Sequence, residues 1–142
     1  MKEQNLGNHT RLAPGFHFFS TPLAALLLIG SIVNLVRSVN GDWLPAALLV
    51  LASVVITSCL IHARMFALKV QDRAIRAEEN LRHYVLTGKL LHPDTRMGQV
   101  IALRFAADEE LPALAETAIR EKLRNREIKK AIRQWKADYH RV

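Results

Sequence analysis

Two long apolar segments without charge dominate the N-terminal half of the chain. Residues 16–36 and 43–61 contain no Asp, Glu, Lys or Arg. A helix needs about 20 such residues to cross about 30 Å of hydrocarbon, and backbone amides in lipid must be paired within their own segment. Both segments are therefore predicted to be transmembrane helices.

A short polar segment, residues 37–42, separates the two predicted spans and contains Asn40-Gly41, a strong turn signal. Because so few residues cannot recross the bilayer, the spans are expected to run antiparallel as a hairpin. The first span exceeds the apolar region of a cleaved signal peptide, and no small-residue cleavage site follows it. It is therefore expected to remain as an anchor.

The orientation of the hairpin follows from Lys and Arg near the span ends. Lys2 and Arg11 precede the first span, and the connecting segment has only Arg37. Five basic residues follow closely after the second span: Arg64, Lys69, Arg73, Arg76 and Arg82. The positive-inside rule then predicts that both termini are cytoplasmic.

Few polar residues interrupt the spans, and Gly30 and Asn34 lie four residues apart on one helical face. This pair is compatible with a substrate or ion path or with close helix packing. A path normally needs intramembrane acids or bases, which these spans lack. We therefore expect Gly30 and Asn34 to pack between helices, with the Asn34 amide bonded across the hairpin.

The second span is expected to continue into the cytoplasm as one long helix, because no Pro or Gly occurs between Pro45 and Gly88. Apolar residues there recur every three or four positions and form a stripe on which later helices are expected to pack: Phe66, Val70, Ala74, Ala77, Leu81, Tyr84 and Val85. Two acid-first ion pairs are expected on its other faces: Asp72–Arg76 and Glu78–Arg82.

Three shorter helices are predicted after Gly88. The first covers about residues 95–107. The second follows an acidic stretch at 108–110 and has Pro112 in its first turn. Its predicted buried face is Leu111, Leu114, Ala115, Ala118, Ile119 and Leu123. The last is expected to have Asn125 as its N-cap, and its apolar stripe is Ile128, Ala131, Ile132, Trp135 and Tyr139. Apolar and polar residues do not alternate with a period of two, so no strands are predicted. The predicted fold is all-α, a two-helix transmembrane hairpin followed by a small cytoplasmic domain of about four helices.

The distribution of basic residues indicates a candidate surface for binding lipid or a partner. The net charge of +7 resides mainly after residue 63, and it is densest at the C-terminal end. The candidate lipid or partner surface consists of Arg126, Lys129, Lys130, Arg133, Lys136, Trp135 and Tyr139. It could be a solvated helix face, or dock on anionic lipid with the two aromatic rings toward the headgroups. Residues 111–139 also loosely follow the helix-turn-helix order of nucleic-acid-binding proteins.

The sequence contains no recognisable catalytic, metal-binding or phosphate-binding motif. The six histidines form no HExxH motif, and Cys59 is the single cysteine. Phosphate-binding glycine loops and nucleophile elbows are also missing from the sequence. No catalytic residue, metal or cofactor is therefore predicted, and the pattern favours an interaction protein over an enzyme.

Four stretches carry a resemblance that spans nearly the full chain: Gln4-Asn5 with Asn8-His9, residues 30–36 (GSIVNLV), 67–82 (ALKVQDRAIRAEENLR) and 101–106 (IALRFA). Together they resemble a bacterial family of small membrane proteins that is a domain of unknown function. The resemblance implies a bacterial inner-membrane setting and a two-span layout. It implies no activity, cofactor or catalytic residue.

The sequence therefore predicts a multi-pass inner-membrane protein, and its pattern favours a non-enzymatic interaction module without excluding an enzyme. Its cytoplasmic tail is residues 1–15, its hairpin 16–63 and its cytoplasmic domain 64–142. The domain is expected to bind anionic lipid or a cytoplasmic protein, and the chain is expected to form a homo-oligomer. The alternative is a membrane-tethered nucleic-acid-binding protein.

Overall fold

The computed structural model describes residue 7 and residues 12–38 and 43–138. Within these ranges the protein is helical and has no strand, which confirms the all-α prediction. A π-helical segment, Gly15–Ser20, precedes five α-helices: α1 Thr21–Arg37, α2 Trp43–Thr87, α3 Met97–Leu103, α4 Leu111–Arg120 and α5 Asn125–Ala131. The described residues divide into two compact units, 12–68 and 69–138, with Gly7 in the second.

The start of α1 is set by the π-helical segment. The Thr21 backbone N–H donates to the carbonyl of Phe16, five residues back, and the Thr21 hydroxyl donates to the same oxygen at 2.8 Å. Pro22 fits the first turn of α1, where its missing N–H needs no partner. The turn predicted at Asn40-Gly41 lies outside the described residues.

The long helix α2 runs for 45 residues without a break, as predicted from its lack of internal Pro and Gly. It ends at Thr87, where Gly88 adopts φ 73° and donates its N–H to the Tyr84 carbonyl at 2.7 Å. This left-handed residue is the usual helix C-terminal signal, since glycine adopts that conformation without a Cβ penalty. The helix contributes residues to both units.

In the first unit, α1 and α2 meet through small residues. Ala24 and Ser31 of α1 and Ala46 and Ser53 of α2 are buried, and each pair is spaced seven residues apart. The Ser31 and Ser53 hydroxyl oxygens lie 3.0 Å apart, and each also lies within hydrogen-bonding distance of a carbonyl on its own helix. Small side chains let the backbones approach closely.

The apolar surface of the hairpin is otherwise exposed. The helical stretches Gly15–Arg37 and Trp43–Thr87 are each long and apolar enough, by length and composition, to cross a membrane. Only 6% and 11% of their most apolar 18-residue windows are buried within the chain. The core helices of soluble proteins bury such residues, and these two helices do not.

The second unit is a small helical domain with its own core. The main cluster joins α2 to α3, α4 and α5 and consists of Ile75, Leu91, Val100, Ala102, Leu103, Leu111, Ala115, Ala118 and Ile128. A smaller cluster lies beside it: Phe105, Ala106 and Ile132, with Leu114 and Trp135 against them. The predicted inner face of α4 is confirmed at Leu111, Ala115 and Ala118.

The domain packs on a different face of α2 from the one predicted. Ile75 and Glu79 are buried against it, whereas the whole apolar stripe is exposed: Phe66, Val70, Ala74, Ala77, Leu81, Tyr84 and Val85. The expected packing of the shorter helices on that stripe is therefore wrong.

The last helix is shorter than predicted. It ends at Ala131, and Ile132 is already extended, with φ −66° and ψ 122°. Trp135 instead forms an antiparallel bridge with Ala106. The prediction that Trp135 continues the helical stripe is therefore wrong, and Tyr139 lies outside the described residues. The first of the shorter helices is likewise confined to Met97–Leu103 rather than residues 95–107.

Candidate interaction surface

The exposed part of the basic surface lies on α5 and just beyond it. The Arg124 backbone N–H donates to the Glu127 carboxylate at 2.6 Å and so begins the helix, while Ile128 anchors its inner face in the core. Arg126 and Lys130, one turn apart, are exposed on the outer side. They are free to meet an anionic surface without any change in the fold.

Lys129 and Trp135 contact the domain itself. The Lys129 ammonium lies 5.2 Å from the centroid of the Phe105 ring, and the Trp135 ring centroid lies 5.1 Å from the same ring. Phe105 is fully buried, and both neighbours are half-buried. Much of the Trp135 ring and the Lys129 charge therefore serves internal packing.

Arg133 and Lys136 lie on the non-helical segment after α5, which is held by backbone hydrogen bonds. The Lys136 N–H donates to the Phe105 carbonyl at 2.8 Å, and the Glu110 carboxylate accepts the N–H groups of Arg133 and Gln134, each at 3.1 Å. Both basic side chains are exposed. The Lys136 ammonium lies 3.6 Å from the Asp108 carboxylate, so part of its charge is compensated.

An ion network centred on Arg82 joins α2 to the loop before α4. Only 12% of the Arg82 side chain is exposed, and its guanidinium donates to Asp108 at 2.6 Å, to Glu79 at 3.1 Å and to the Ala106 carbonyl at 2.7 Å. The predicted Glu78–Arg82 pair is thus replaced by Glu79–Arg82. Glu79 lies one turn after Ile75, on the buried face of α2.

The two carboxylates of this network have opposite pKa shifts. Burial raises the pKa of Glu79 above its ordinary value, and the positive charge of Arg82 offsets part of that rise. The hydrogen bond from Arg82 lowers the pKa of Asp108, which is half-exposed. Buried acids with raised pKa values are common in active sites, but Glu79 already has a structural partner in Arg82.

A second buried cation supports the C-terminal segment. Arg104 is 7% exposed and its guanidinium lies 2.9 Å from the Asp138 carboxylate. Its guanidinium carbon also lies 4.8 Å from the centroid of the Phe105 ring. Together with the Arg82 network, this pair holds the end of the described chain against α3 and so positions the basic residues around it.

Comparison with known proteins identifies the family. A family model described as a family of unknown function (DUF6526) matches residues 1–142. The chain belongs to this family. No curated protein and no solved structure matches it. Membership in DUF6526 agrees with the resemblance to a domain of unknown function and assigns no activity to the surface described above.

In this DUF6526 chain, Gly30 and Asn34 lie on the exposed side of α1. A Cβ added at Gly30 would meet nothing within 4 Å. The buried contact inside the hairpin instead uses residues spaced by seven, a pattern visible in the sequence but not used to predict the contact. Packing of Gly30 and Asn34 between helices stays a prediction, and it requires a helix other than α2 of the same chain.

A groove in the domain is lined by apolar residues and by ionisable ones, among them His83, His92 and Glu116. The groove, of about 720 Å³, lies between the end of α2 and α4, with an apolar floor that includes Leu91, Ala115 and Ile119. Among the residues that the structure describes, no three His, Cys, Asp or Glu side chains are grouped so that they could hold a metal ion. The Arg82 network was missed from sequence because two of its partners, Asp108 and the Ala106 carbonyl, are distant along the chain.

Proposed function

We propose that this DUF6526 protein is an integral inner-membrane protein whose hairpin lies in the bilayer and whose helical domain acts as an interaction module at the cytoplasmic face. The observation that carries this proposal is the exposed apolar surface of the hairpin, where 6% and 11% of the most apolar windows are buried. Each Å² of apolar surface left in water costs about 25 cal/mol. Acyl chains would remove that cost.

Membrane insertion is tested by fractionation of the full chain. We expect the protein in the high-speed pellet, resistant to an alkaline carbonate wash and released only by detergent. A folded species that stays in the supernatant without detergent contradicts the proposal.

Topology is tested separately with single cysteines in a Cys59→Ser background. Ser38→Cys, at the end of α1, should react with an impermeant reagent from outside the cell. Leu90→Cys, exposed in the domain, should react only after permeabilisation. The reverse pattern would contradict cytoplasmic termini.

The proposed partner of the domain is the anionic lipid surface next to it. Arg126, Lys130 and Arg133 are exposed, and a Lys or Arg near a charged leaflet contributes about 1 kcal/mol. Because Lys129 and Trp135 contact Phe105, these three exposed cations supply most of the proposed attraction. The interaction should weaken in high salt, since the Debye length falls from about 10 Å at 0.1 M to about 3 Å at 1 M.

Lipid docking is tested on the full chain in nanodiscs of neutral or partly anionic lipid. We expect hydrogen exchange in α5 to slow in the anionic discs. The double variant Arg126→Gln/Lys130→Gln removes two cations that each contribute about 1 kcal/mol. Together this loss of about 2 kcal/mol should weaken docking by about 30-fold. The charge-matched control Lys89→Gln/Arg96→Gln removes two exposed cations outside α5 and should change little.

Two results would count against lipid docking. Equal protection of α5 in neutral and anionic discs is one, and an equal effect of the control variant is the other. Binding of the disc-embedded protein to duplex DNA at low salt, lost in the α5 variant, would instead favour the nucleic-acid alternative.

A further inference from the structure

An apolar face of α2 is left without a partner in the second unit. Val70, Leu81 and Tyr84 are 67%, 64% and 52% exposed, and Ala74 and Ala77 between them are also exposed. These five residues follow one another at spacings of four, three, four and three. That alternation is the heptad pattern of a coiled-coil seam.

The folded domain occupies the opposite side of the same helix. Ile75 and Glu79 are buried against it, and Arg82 enters its ion network. At 100° per residue these positions lie roughly half a turn from the exposed seam. The domain therefore holds α2 in a fixed helical form while leaving the seam accessible from outside.

We propose that this seam, Val70, Ala74, Ala77, Leu81 and Tyr84, is occupied by the same seam of a second copy in a parallel two-stranded coiled coil. Ala74 and Leu81 take the a positions, and Val70, Ala77 and Tyr84 take the d positions. The parallel direction rests on the proposed function, because copies inserted in one bilayer with the same topology present α2 in the same direction.

Charge complementarity supports a second copy as the occupant. In this register Arg73 is a g residue and Glu78 is the e residue of the next heptad, and both are exposed. In a parallel dimer a g residue faces the following e residue of the other helix. Arg73 therefore faces Glu78 of the second copy, and the symmetry repeats the pair. In an antiparallel dimer g faces g and e faces e, so this pairing is lost.

A seam of two heptads is short, and two features of the protein compensate for its length. The helix is already formed by its packing on the domain, so association does not include helix nucleation. Insertion in one membrane also raises the effective concentration of the second copy. Alanine at two core positions allows close approach of the helices, while Leu81 and Tyr84 supply apolar area.

The first test is disulfide cross-linking of the full chain in native membranes, in a Cys59→Ser background. Ala77→Cys places a thiol in the centre of the seam and should give an adduct of twice the chain mass under mild oxidation. Leu86→Cys is the matched control, since Leu86 is exposed on the far side of α2. Equal cross-linking at both positions, or an adduct of another mass, overturns the proposal.

The second test exchanges the charges in the Ala77→Cys background. Arg73→Glu or Glu78→Arg alone replaces two attractions with two like-charge contacts and should lower dimer association by about tenfold. The double variant Arg73→Glu/Glu78→Arg restores complementary charges and should restore the cross-link. Single variants without effect, or a double variant without recovery, would contradict the parallel register.

Fractionation of the same samples separates this inference from the proposed function. Protein in the membrane pellet without a seam-specific cross-link overturns only the dimer. Protein in the supernatant overturns membrane insertion and, with it, the basis for the parallel direction.

Discussion

Replacement of Arg82 by methionine tests the ion network of the helical domain. The change keeps an unbranched apolar stem but removes the guanidinium and its hydrogen bonds to Asp108, Glu79 and the Ala106 carbonyl at 2.6, 3.1 and 2.7 Å. Glu79, which is 9% exposed, then remains buried without the charge that offsets its desolvation. Loss of one partner of a buried ion pair costs about 3–5 kcal/mol, a large part of the roughly 5–15 kcal/mol that stabilises a domain.

The assay uses one of the two tryptophans of the chain. In a Trp43→Phe background, the fluorescence of Trp135, packed on Phe105, reports unfolding of the domain in nanodiscs. With a urea dependence of about 1–3 kcal/mol per molar, a loss of about 3–5 kcal/mol should lower the Arg82→Met midpoint by roughly 1–5 M. Because protonation neutralises Glu79, the loss of stability should be smaller at pH 5 than at pH 8.

A double variant provides the control. Arg82→Met combined with Glu79→Met removes the unpaired charge and should recover much of the lost stability, since an apolar pair is often neutral where a broken ion pair is not. An Arg82→Met midpoint equal to that of the unchanged protein would refute the reasoning. So would a double variant no more stable than the single one.

Three further changes test separate parts of the domain by the same urea assay. The stability of Glu79→Gln relative to the unchanged protein should increase as the pH rises above 4.5, the ordinary pKa of a glutamate. The raised pKa of Glu79 means that folding favours its protonated form, which glutamine resembles at every pH. A pH-independent difference in stability would contradict this. Gln99→Leu removes three hydrogen bonds, two of 3.0 Å to the Ala118 and Leu123 carbonyls and one of 2.9 Å from the Arg96 N–H, and should cost about 1–3 kcal/mol, whereas a neutral effect would show that these backbone groups find other partners. Gly88→Ala should cost about 1 kcal/mol because of its φ of 73°, with Gly88→Asn losing less, and equal losses would argue for a steric cause instead.

Local features of the sequence were enough to predict the helices of the hairpin and the course of α2. Helix formation in these segments depends on residues that are close in sequence: uncharged apolar runs and no internal Pro or Gly. The end of α2 is also local, because it is set by the glycine that follows Thr87. The inner face of α4 could be predicted for the same reason, since Leu111, Ala115 and Ala118 recur with the helical period and are buried. Residues 39–42, between the two predicted spans, lie outside the described residues.

The face of α2 used for packing could not be predicted from periodicity. An apolar stripe predicts burial, yet the domain packs on Ile75 and Glu79, because Arg82 finds Asp108 as its partner 26 residues away. The residue at which α5 ends is also set by a polar partner that is distant along the chain. The N–H groups of Arg133 and Gln134 would continue the helix, but the Glu110 carboxylate accepts both.

The sequence by itself therefore determined the order of the helices, though not where the two shortest ones end, and which segments are apolar enough for a bilayer, because these properties add up over neighbouring residues. Only the tertiary structure decided which polar groups pair and, through them, which faces remain exposed. A buried donor or acceptor must find a partner wherever the folded chain brings one within reach. In this protein several of those partners come from distant positions, as Asp108 does for Arg82 and Glu110 for the Arg133 N–H, and the seam of α2 and the outer side of α5 stay exposed.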